Sequence, residues 1–576
     1  MKQGFNYSLI HIYLIMNKDS IFNVENIREC EDYVLSIQFS LDKAVAMDDT
    51  KVIHRYFDLL CKRSEAVRIL AVNRITRINQ GKYTAGVDGI KTPRDSKEAM
   101  LFRKRLLSEI DIEKPPDLIK RVYIPKSKGN MRPLGIPTIA DRVIQEIYRI
   151  ALSPITEYHF HDNSYGFRPY RSCQDAQAHL FLKLSRNNCP KYVLEGDIKG
   201  CFDNINHNHI LNTLSDWQVP EWAMLNISKI LKSGIMEDDK IYDNVRGTPQ
   251  GGVISPMLAN VALTTLDFHC LQYNDYGNNP IVRYADDFVI VCKSEKQAKE
   301  IKEDITYHLK KVVSLELSDE KTKITHINKG FNFLGFNFRK HKPKGIRKYQ
   351  NPNRVLLIMP EKEKVYELLY EIKKELKKSQ NLSQEEVIDL LNPKLRGFGY
   401  YYRHVCSKKT YTKIDYHVWV KLLKWATRKH SGKNKQWVLN NLFHNFNNQT
   451  YHFRDDKSDK SIFSMKGIEI NRFVKMKQNH RVYDNNDKVQ SYWQKRITMN
   501  AYNVVSSKRR RSIFNRQNGK CAFCHKFITA DEIVDNQIEL DHIQPISKGG
   551  TNRLCNLRLV HADCHKEIHK GKEILS

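Results

Sequence analysis

The stretch IVRYADDFVIVC, residues 281–292, decides the fold of the largest part of the chain. Its two apolar runs flank a tight Ala-Asp-Asp turn, and this pattern predicts a β-hairpin with Asp286 and Asp287 at its tip. A third carboxylate, Asp197, follows a strand-like run in KYVLEGDIKGCFDNI (191–205). Three carboxylates on rigid strands predict a site for divalent cations such as Mg²⁺, which hold the reacting oxygens in nucleotidyl transfer.

The residues around this hairpin decide between two interpretations. An isolated Asp-Asp is more often ordinary turn chemistry, because Asp is a common turn residue. Here RGTPQGGVISPMLANV (246–261) predicts a glycine-rich loop that leads into a helix, and YIPKSKGNMRPLGIPTIADRVIQ (123–145) predicts a hairpin followed by a helix. These motifs, set among alternating strand-like and helical segments, favour a catalytic α/β or α+β domain.

Together the motifs resemble the reverse transcriptases encoded by mobile group II introns. Asp197, the Pro-Gln-Gly loop, Tyr-Ala-Asp-Asp and FNFLGFNF (331–338) follow one another in the order of that family. The segments NSYGFRPYRSCQDA (163–176) and TAGVDG (84–89) match it as well. The resemblance implies a right-hand polymerase with fingers and a palm built on an antiparallel sheet. It also implies Mg²⁺ as cofactor and deoxynucleoside triphosphates as substrates.

The resemblance assigns roles to single residues of the polymerase. Asp197, Asp286 and Asp287 are expected to be the catalytic carboxylates that bind Mg²⁺. Phe202 is expected to exclude the ribose 2′-hydroxyl, and an ordinary core phenylalanine is the simpler alternative. FNFLGFNF is expected either to pack against the primer strand or to close the core of the palm.

Basic and amide side chains are expected to bind the incoming nucleotide. The resemblance places Lys126 and Arg132 at the triphosphate, where charge-assisted contacts suit both, and Gln250 at the template and incoming base. Solvated surface charges, and a plain turn at the glycine-rich loop, are the simpler alternatives. Lys321 and Lys323, in SDEKTKI, both lie where the family has a nucleotide-proximal lysine, and the sequence leaves the choice open.

Helical segments with basic and aromatic residues follow the polymerase motifs. In EKEKVYELLYEIKKELKKS (361–379) apolar residues recur on one helix face, and residues 381–430 continue the helical pattern. LNPKLRGFGYYYRHV (391–405) resembles the thumb and maturase region of the family, although Phe398 and Tyr400 replace a common Trp and Asn. Phosphate contacts and stacking on intron RNA are expected from Arg396, Arg403, Tyr400, Tyr401, Tyr402 and Trp425.

The C-terminal residues predict a linker followed by a metal-stabilised module. Residues 445–505 show little periodicity and predict a small, irregular or linker-like region. Beyond it, Cys521-x₂-Cys524 and His561-x₂-Cys564 have the spacing of a tetrahedral Zn²⁺ site, which would stabilise a module whose own core is marginal. Cys555 has the wrong spacing for a further pair.

Between these pairs, ELDHIQPISKGGTNRLCNLRLVHADCHKEIH (539–569) resembles an HNH endonuclease. The resemblance implies a ββα scaffold on which Asp541 and His565 bind a divalent ion, Mg²⁺. His569 follows His565 by four residues, on the same helix face, and is either a third ligand or a surface histidine. His542 is expected to be the general base that activates water. Asn556 would orient His542 or pin the hairpin.

Composition identifies the class of partner. The 576 residues carry 95 Lys and Arg against 65 Asp and Glu, a net charge of +30. This surplus favours a polyanion, because neutralised phosphates release counterions. A membrane surface is the weaker alternative, since the longest uncharged stretch, residues 247–266, contains two prolines and cannot be a lipid-exposed helix. The N-terminus lacks a signal-peptide cleavage site, and Met16 is an alternative start.

We therefore predict an α+β multidomain protein with an α-helical thumb and a small zinc-stabilised ββα domain. The predicted domains are an N-terminal extension (1–50), reverse transcriptase fingers and palm (51–345), a thumb or maturase domain (346–440), a DNA-binding or linker region (441–510) and an HNH endonuclease domain (511–576). Intron RNA and target DNA are the implied macromolecular partners, and a homodimer is left open. The scattered cysteines indicate a reducing compartment, bacterial cytoplasm or an organelle matrix.

The implied function combines three activities. The protein binds its intron RNA and assists splicing, the HNH domain nicks the target DNA, and the freed 3′ end primes copying of the RNA into DNA. A splicing-only RNA-binding maturase with a decayed polymerase is the alternative. The intact carboxylates at Asp197, Asp286 and Asp287 argue against it.

Overall fold

The computed structural model describes residues 21–125, 131–273, 279–342, 354–446, 449–471, 473–505, 507–535 and 537–569. Lys126 and Met16 lie outside these residues. Among the described residues, buried apolar side chains form three clusters. The first joins the N-terminal helices to the fingers and one face of the palm, the second joins the other palm face to the thumb, and the third lies in the C-terminal module.

Strands and helices alternate up to residue 360, and helices dominate the next 80 residues. The strands are β1 (Ile119–Pro125), β2 (Met131–Ile136), β3 (Tyr192–Asp197), β4 (Ile235–Glu237), β5 (Lys240–Tyr242), β6 (Ile281–Tyr284), β7 (Asp287–Cys292), β8 (Lys323–His326), β9 (Phe331–Phe333), β10 (Phe336–His341), β11 (Val355–Pro360), β12 (Phe443–Phe446), β13 (Gln449–Asp455), β14 (Lys460–Ser461), β15 (Ile538–His542) and β16 (Leu557–His561).

The α-helices are α1 (Val24–Ala46), α2 (Thr50–Asp58), α3 (Glu65–Asn73), α4 (Ser96–Ser108), α5 (Ile139–His159), α6 (Cys173–Leu184), α7 (Cys201–Asn204), α8 (His207–Asp216), α9 (Glu221–Leu231), α10 (Ser255–His269), α11 (Glu295–His308), α12 (Lys362–Lys378), α13 (Gln384–Tyr401), α14 (Lys408–Lys429), α15 (Lys435–Leu442), α16 (Asp487–Val504), α17 (Lys508–Arg516), α18 (Ala530–Val534) and α19 (Ala562–His569). Short π-helical turns are Leu59–Arg63, Arg74–Ile78 and Leu309–Val313, and 3₁₀ turns are Gln80–Tyr83, Cys270–Tyr273, Met465–Gly467, Ile546–Lys548 and Leu554–Asn556.

The palm sheet lies between the first two clusters. Its four antiparallel strands have the order β6-β7-β3-β8. Successive side chains point to opposite faces, so Leu194 and Ile290 join the first cluster whereas Val193 and Val289 join the second. Burial on both faces explains why these strands are continuously apolar instead of alternating with polar residues.

The fingers contain a second sheet of order β2-β1-β4-β5, in which β1 and β2 form the predicted hairpin. Helix α1 packs against α5, and the Gln38 side chain donates a hydrogen bond to the Ile150 carbonyl. Val34, Ile37 and Leu41 are buried along one face of α1. The sequence analysis had no structural expectation for this helix.

The thumb consists of helices α12, α13 and α14. Of the apolar face that its periodicity predicted, helix α12 buries Val365, Leu369, Ile372 and Leu376 and partly buries Leu368. Helix α13 begins with a capping box, in which the Ser383 hydroxyl accepts from the Glu386 backbone and the Glu386 carboxylate accepts from the Ser383 backbone. The four phenylalanines of FNFLGFNF are buried, which favours core closure over contact with a primer strand.

Residues 445–505 are only in part the irregular, linker-like region that the sequence predicted, since residues 468–471 and 473–486 lack helices and strands but the flanking segments do not. Strands β13 and β14 pair with each other, and residues 487–504 form the 18-residue helix α16. Arg496 of α16 forms a buried ion pair with Asp175 of the palm, 2.7 Å between Nη2 and Oδ1. The helical periodicity of α16 was obscured because Arg496 interrupts its apolar face, and its partner lies 321 residues away.

The C-terminal module pairs β15 with β16 and packs α19 against both. Helix α17 is rich in basic residues, and its Ile513 and Phe514 are buried in the third cluster. The module contacts the N-terminal helices, since the Glu567 carboxylate accepts from the Val24 backbone and Asp563 pairs with Arg77 at 3.3 Å.

Among the residues described above, no helix has the length and apolar character needed to cross a membrane.

Candidate polymerase and nuclease sites

The antiparallel pairing of the palm sheet brings three carboxylates together. Asp197 at the end of β3 is in register with Asp287 at the start of β7, and Tyr284 faces Asp287 across the hairpin. Asp286 lies in the turn beside Ala285, which has a φ of 57°. Register alone therefore gathers the carboxylates that the sequence placed on separate strands.

A buried ion pair, which was not predicted from the sequence, holds the turn of the β6–β7 hairpin. Arg283, fully buried on β6, pairs with Asp267 of α10 at 2.5 Å and donates to the Ala285 carbonyl at 3.0 Å. Gly166 approaches the same turn closely, because a Cβ atom there would lie 2.4 Å from the Ala285 nitrogen. The signal available in the sequence was an arginine inside an apolar strand, which demands a buried partner.

The palm carboxylates repel one another and are partly removed from water. Burial, together with the charges of Asp286 and Asp197, raises the pKa of Asp287 to about 6. Burial and Asp197 also raise the pKa of Asp286. Asp287 keeps an exposed edge, so solvent screens part of this repulsion. A divalent cation bound between the carboxylates would relieve it.

The structure separates the two candidate lysines. The Lys321 Nζ lies 2.9 Å from the Asp197 carboxylate, whereas Lys323 on β8 is in register with Glu195, two residues before Asp197. Arg132 is exposed on β2, and its positive charge opposes the rise in the pKa of Asp286. Lys321 and Arg132 therefore both act electrostatically on the palm carboxylates.

The glycine-rich loop lies against the helix that carries Phe202. The Thr248 backbone donates to the Phe202 carbonyl, and the Gln250 side chain donates to the Asp203 carboxylate at 3.1 Å. The Gln250 carbonyl in turn accepts from Gly135 of β2 at 3.0 Å. These contacts join the loop, the Phe202 helix and the fingers hairpin. Asp203, which the sequence analysis did not name, holds the Gln250 side chain.

Phe202 itself is half-buried at the edge of the first cluster. Its ring meets that of Phe167 edge to face, with ring centroids 6.3 Å apart. Phe202 follows Asp197 by five residues and lies in the short helix α7. Gly200, with a φ of 55°, turns the chain into this helix. The ring is thus neither an ordinary core residue nor freely exposed.

The prediction of an RNA-stacking surface on the thumb is wrong for three of its aromatic residues. The Tyr401 and Tyr402 hydroxyls donate to the carbonyls of Leu334 and Gly335, which ties the thumb to the palm. Trp425 is buried and donates to the Ser379 carbonyl. The sequence pattern of aromatic residues on an amphipathic helix is the same whether they face the core or the solvent. Here they face the core.

The thumb instead exposes lysines and other tyrosines. Lys373 and Lys424 lie near Lys421, whose pKa is lowered by burial and by these two charges. Tyr366 is exposed, and the Lys413 ammonium lies 5.8 Å from its ring centroid. A surface with crowded positive charges and accessible rings suits phosphate contacts and base stacking.

Four side chains of the C-terminal module form a compact sulfur-rich cluster. The ligand atoms of Cys521, Cys524, His561 and Cys564 all lie within 4.8 Å of one another. The His561 Nδ1 is 3.3 Å from the Cys524 sulfur and 3.8 Å from the Cys564 sulfur. Hydrogen bonds from Cys524 and Cys564 hold the pKa of Cys521 far below its usual value. Three sulfurs and one imidazole are a donor set that fits tetrahedral zinc.

A second cluster of ligand atoms lies between β15 and α19. Asp541, His565 and His569 place one ligand atom each within 4.8 Å of the others. The Asp541 Oδ1 lies 3.4 Å from the His565 Nε2 and 3.1 Å from the His569 Nε2. The position of His569 favours the third-ligand alternative over a surface histidine.

Two neighbours that the sequence analysis missed fix this cluster. Arg558, in register with Asp541 across the hairpin, contacts its second oxygen at 2.8 Å. Burial alone would raise the pKa of Asp541, but hydrogen bonds from Arg558 and His569 hold it below its usual value. The Glu539 carboxylate lies 2.6 Å from the His565 Nδ1, which leaves Nε2 facing Asp541.

Asn556 does not orient His542, which was one of its two predicted roles. Its amide pins the loop, because it accepts from the Gln544 backbone and donates to the carbonyls of Gln544 and Thr551. The His542 Nε2 lies 2.8 Å from the Asn552 side chain instead. Asn552 and Asn556 lie in the same motif, and because both are asparagines the sequence gave no reason to assign the contact with His542 to Asn552.

Four family models match the chain in succession. The N-terminal domain of reverse transcriptase matches residues 24–104, and the reverse transcriptase (RNA-dependent DNA polymerase) model matches residues 124–338. The group II intron maturase-specific domain matches residues 366–443, and the HNH endonuclease model matches residues 521–571.

Known proteins are similar to parts of this chain. Protein YkfC from Escherichia coli (strain K12) is 35% identical over 300 residues, which cover 46% of this chain and 77% of YkfC. Group II intron-encoded protein LtrA from Lactococcus lactis subsp. cremoris is 29% identical over 436 residues, which cover 62% of this chain and 72% of LtrA. A Candida albicans telomerase solved with a fragment of telomeric RNA aligns at 13% identity and a TM-score of 0.30, over 57% of this chain and 65% of the telomerase. From the family models and the first two relatives, the chain belongs to the group II intron-encoded proteins and joins a reverse transcriptase, a maturase domain and an HNH endonuclease.

Proposed function

We propose that this protein acts in intron mobility by target-primed reverse transcription. The HNH domain nicks the target DNA, the palm extends the freed 3′ end on intron RNA, and the thumb holds that RNA for splicing and copying. The observation that carries the proposal is the register of Asp197 with Asp287, beside Asp286. A splicing-only maturase would have no use for three carboxylates held together against their repulsion.

In the palm, each proposed residue has a distinct task. Mg²⁺ bound by Asp197, Asp286 and Asp287 would activate the attacking 3′ oxygen and stabilise charge on the α-phosphate. Lys321, paired with Asp197, is placed to approach the phosphates of a deoxynucleoside triphosphate once the carboxylate binds a cation. We propose that Arg132 and Lys126 also bind the triphosphate.

Two further palm residues select the nucleotide. Phe202 presents a half-buried ring beside the glycine-rich loop, where it would collide with a ribose 2′-hydroxyl. Gln250 lies on that loop, and its amide, held by Asp203, keeps the backbone in place for the template and the incoming base. Because the loop also bonds to β2, these two residues and the fingers form one rigid unit.

In the nuclease domain, Asp541, His565 and His569 are the proposed ligands of the divalent ion. A bound Mg²⁺ would polarise the scissile phosphate. His542, half-exposed next to these ligands and contacted by Asn552, is the proposed general base for water. Asn556 shapes the loop that carries the Asn552 side chain. Zn²⁺ at the sulfur-rich cluster would stabilise the module without entering the chemistry.

The thumb lysines and tyrosines are the proposed intron-RNA surface, and residues 441–510 are proposed to contact target DNA. We propose that the protein works as a ribonucleoprotein with its intron in a bacterial cytoplasm or an organelle matrix. A homodimer is proposed only as an alternative assembly, because no described contact argues for it.

One assay separates the two enzymatic activities. Purified protein is supplied with intron RNA, deoxynucleoside triphosphates and target DNA that is either intact or already nicked. His542→Ala should stop nicking yet extend the pre-nicked DNA, and Asp286→Asn should nick yet synthesise no DNA. His54→Ala, a change on the outer helix α2, serves as the matched control and should do both.

Two results would contradict these assignments. Equal nicking by His542→Ala and the parent protein would remove His542 from the mechanism. Magnesium-dependent DNA synthesis by Asp286→Asn at the parental rate would overturn the polymerase site.

A further inference from the structure

A cavity of about 550 Å³ lies where four parts of the chain meet. Its walls come from the palm loop 168–174, the C-terminal end of α13, helix α16 and the start of α18 in the nuclease domain. The palm carboxylates and both ligand clusters of the nuclease domain lie outside it. Its volume is in the range of ligand sites and accommodates a single nucleotide unit.

Two of the four arginines that line the cavity are already neutralised. Arg168 pairs with the buried Glu157 at 2.9 Å, and Arg496 pairs with the buried Asp175 at 2.7 Å. These pairs are structural, because both partners of each are almost fully removed from solvent. Arg171 has the partly exposed Asp162 carboxylate at 3.6 Å, which leaves Arg403 as the arginine of the cavity wall without a carboxylate partner.

Arg403 is a buried cation without an anion. It is 8% exposed, its Nε has no hydrogen-bond acceptor, and no carboxylate of the described residues lies within ion-pair distance. Its nearest aromatic partner is the Tyr400 ring, 5.8 Å from the guanidinium. A buried guanidinium is strongly unfavourable unless it is paired, because nothing offsets the loss of its hydration. An anionic ligand would supply the missing partner.

Arg171 adds a second partly used guanidinium. Its Nη1 donates to the carbonyls of Asp162 and Ser164, but its buried Nε has no acceptor. Among the described residues, Asp531 is the carboxylate that lines the cavity without an arginine partner, and it lies on the exposed rim. The positive charge of the cavity interior that has no carboxylate partner is therefore that of Arg403.

Aromatic rings flank the charged wall. Tyr170, 52% exposed, lies against Trp493 with ring centroids 5.7 Å apart and a tilt of 32°. Tyr400 forms the wall next to Arg403. An exposed ring beside an unpaired guanidinium group is a combination that recognises a base and its phosphate together.

We propose that this cavity binds one phosphate-bearing nucleotide, with Arg403 at the phosphate and the Tyr170 ring, which packs on the buried Trp493, against the base. The nucleotide is either free or the unpaired terminal unit of a bound strand. Because the walls come from the polymerase and from the nuclease domain, the bound nucleotide would also hold these two parts together. The site is independent of the chemistry proposed for the palm and the HNH cluster.

Calorimetric titration of the full-length protein tests this site. The free probes are AMP, adenosine and inorganic phosphate, and the strand probes are a tetranucleotide with and without a 5′-phosphate. Asn500→Asp places a negative charge on the cavity wall without changing side-chain size. Arg403→Gln removes the proposed phosphate contact, and Arg55→Gln removes an equally positive but exposed charge from α2.

We expect a phosphorylated probe to bind the parent protein and Arg55→Gln alike. Asn500→Asp and Arg403→Gln should weaken that binding at least about tenfold, as loss of a charged hydrogen bond does. Preference for AMP identifies a free nucleotide as the source, and preference for the 5′-phosphorylated tetranucleotide identifies a strand end. Equal affinity of Asn500→Asp and the parent protein overturns the proposal, even if Arg403→Gln fails to fold. So does equal affinity for phosphorylated and unphosphorylated probes.

Discussion

The palm and the nuclease module both gather side chains that we propose as metal ligands, but they hold them by different means. In the palm, Asp197, Asp286 and Asp287 sit at the ends of strands whose two faces are buried in large apolar clusters. In the nuclease module the apolar cluster is small, and polar contacts and the sulfur-rich cluster position the ligands.

The two sites also differ in their electrostatics, since like charges meet in the palm and opposite charges meet in the nuclease module. The palm carboxylates lack enough cationic partners, and the pKa of Asp287 rises to about 6. In the nuclease, Arg558 and two histidines surround Asp541, and the pKa of Asp541 falls. A rigid core can therefore hold like charges together, whereas a module with a marginal core depends on attractive pairs.

The largest effect is expected from a substitution that unfolds the nuclease module and leaves the palm intact. Cys524→Ser removes one of three sulfurs from the proposed zinc site, and structural zinc contributes on the order of 10 kcal/mol to the folding of small modules. We expect bound zinc to fall well below one equivalent, proteolysis to cut the module, and nicking to be lost. Primer extension should stay within about twofold of the parent, because distant sites act independently.

Cys555→Ser is the matched control for this change. Cys555 is exposed and lies outside the sulfur-rich cluster, so its removal should leave zinc content and nicking unchanged. Full nicking and full zinc content in Cys524→Ser would contradict a structural role for the cluster.

The second effect sharpens the contrast in charge. Asp287→Asn should lower DNA synthesis at least about 10²-fold, because a metal ligand is lost. The same change should raise the melting temperature of the metal-free protein at pH 7.5 by about 2 °C, since it removes a solvent-screened repulsion. Asp319→Asn, at a side chain that is 95% exposed, should change neither quantity.

The pH dependence of this gain follows from the sign of the shift. The folded pKa of Asp287, about 6, lies above the ordinary value of 3.8, so the native state holds this proton more tightly. Stability of the metal-free parent should therefore fall as the pH rises from about 4 through 6, whereas Asp287→Asn lacks this decline. Parallel stability curves for the two proteins would show that the repulsion is absent.

The palm was predictable from the sequence because its signals are local. Apolar runs around Tyr-Ala-Asp-Asp and before Asp197 specify strands, and antiparallel pairing then aligns the carboxylates. The Cys521-Cys524, His561-Cys564 and His565-His569 pairs of the two ligand-atom clusters were predictable for a similar reason, since the spacing of three or four residues within each pair is fixed by one turn or one helix.

The partners of these residues were not predictable. Arg558 meets Asp541 only through the register of β15 and β16, and Arg496 meets Asp175 across 321 residues. The thumb aromatics failed for another reason. A run such as Tyr400–Tyr402 on a helix fits a buried face and an RNA surface equally well, and only tertiary packing decides.

The third effect asks whether the rigid palm also selects the sugar. Phe202→Ala should reduce discrimination against ribonucleotides by about 10- to 100-fold, the worth of one steric contact of about 1–3 kcal/mol. Phe202→Tyr keeps the ring and should retain the parental preference. Competition between dATP and ATP in primer extension measures the ratio. An unchanged ratio in Phe202→Ala would refute the exclusion of the 2′-hydroxyl by this ring.

The smallest effect tests whether attractive pairs position the nuclease ligands. Glu539→Gln weakens the contact to the His565 Nδ1, which sets the direction of Nε2, so we expect about tenfold weaker metal activation of nicking. Higher Mg²⁺ should restore the rate in Glu539→Gln, because the ligand is misplaced but present, and should not restore it in His565→Ala. Asp535→Asn, an exposed carboxylate in the same module, is the control. A parental Mg²⁺ dependence in Glu539→Gln would mean that the hairpin alone orients His565, and that the module is as rigid as the palm.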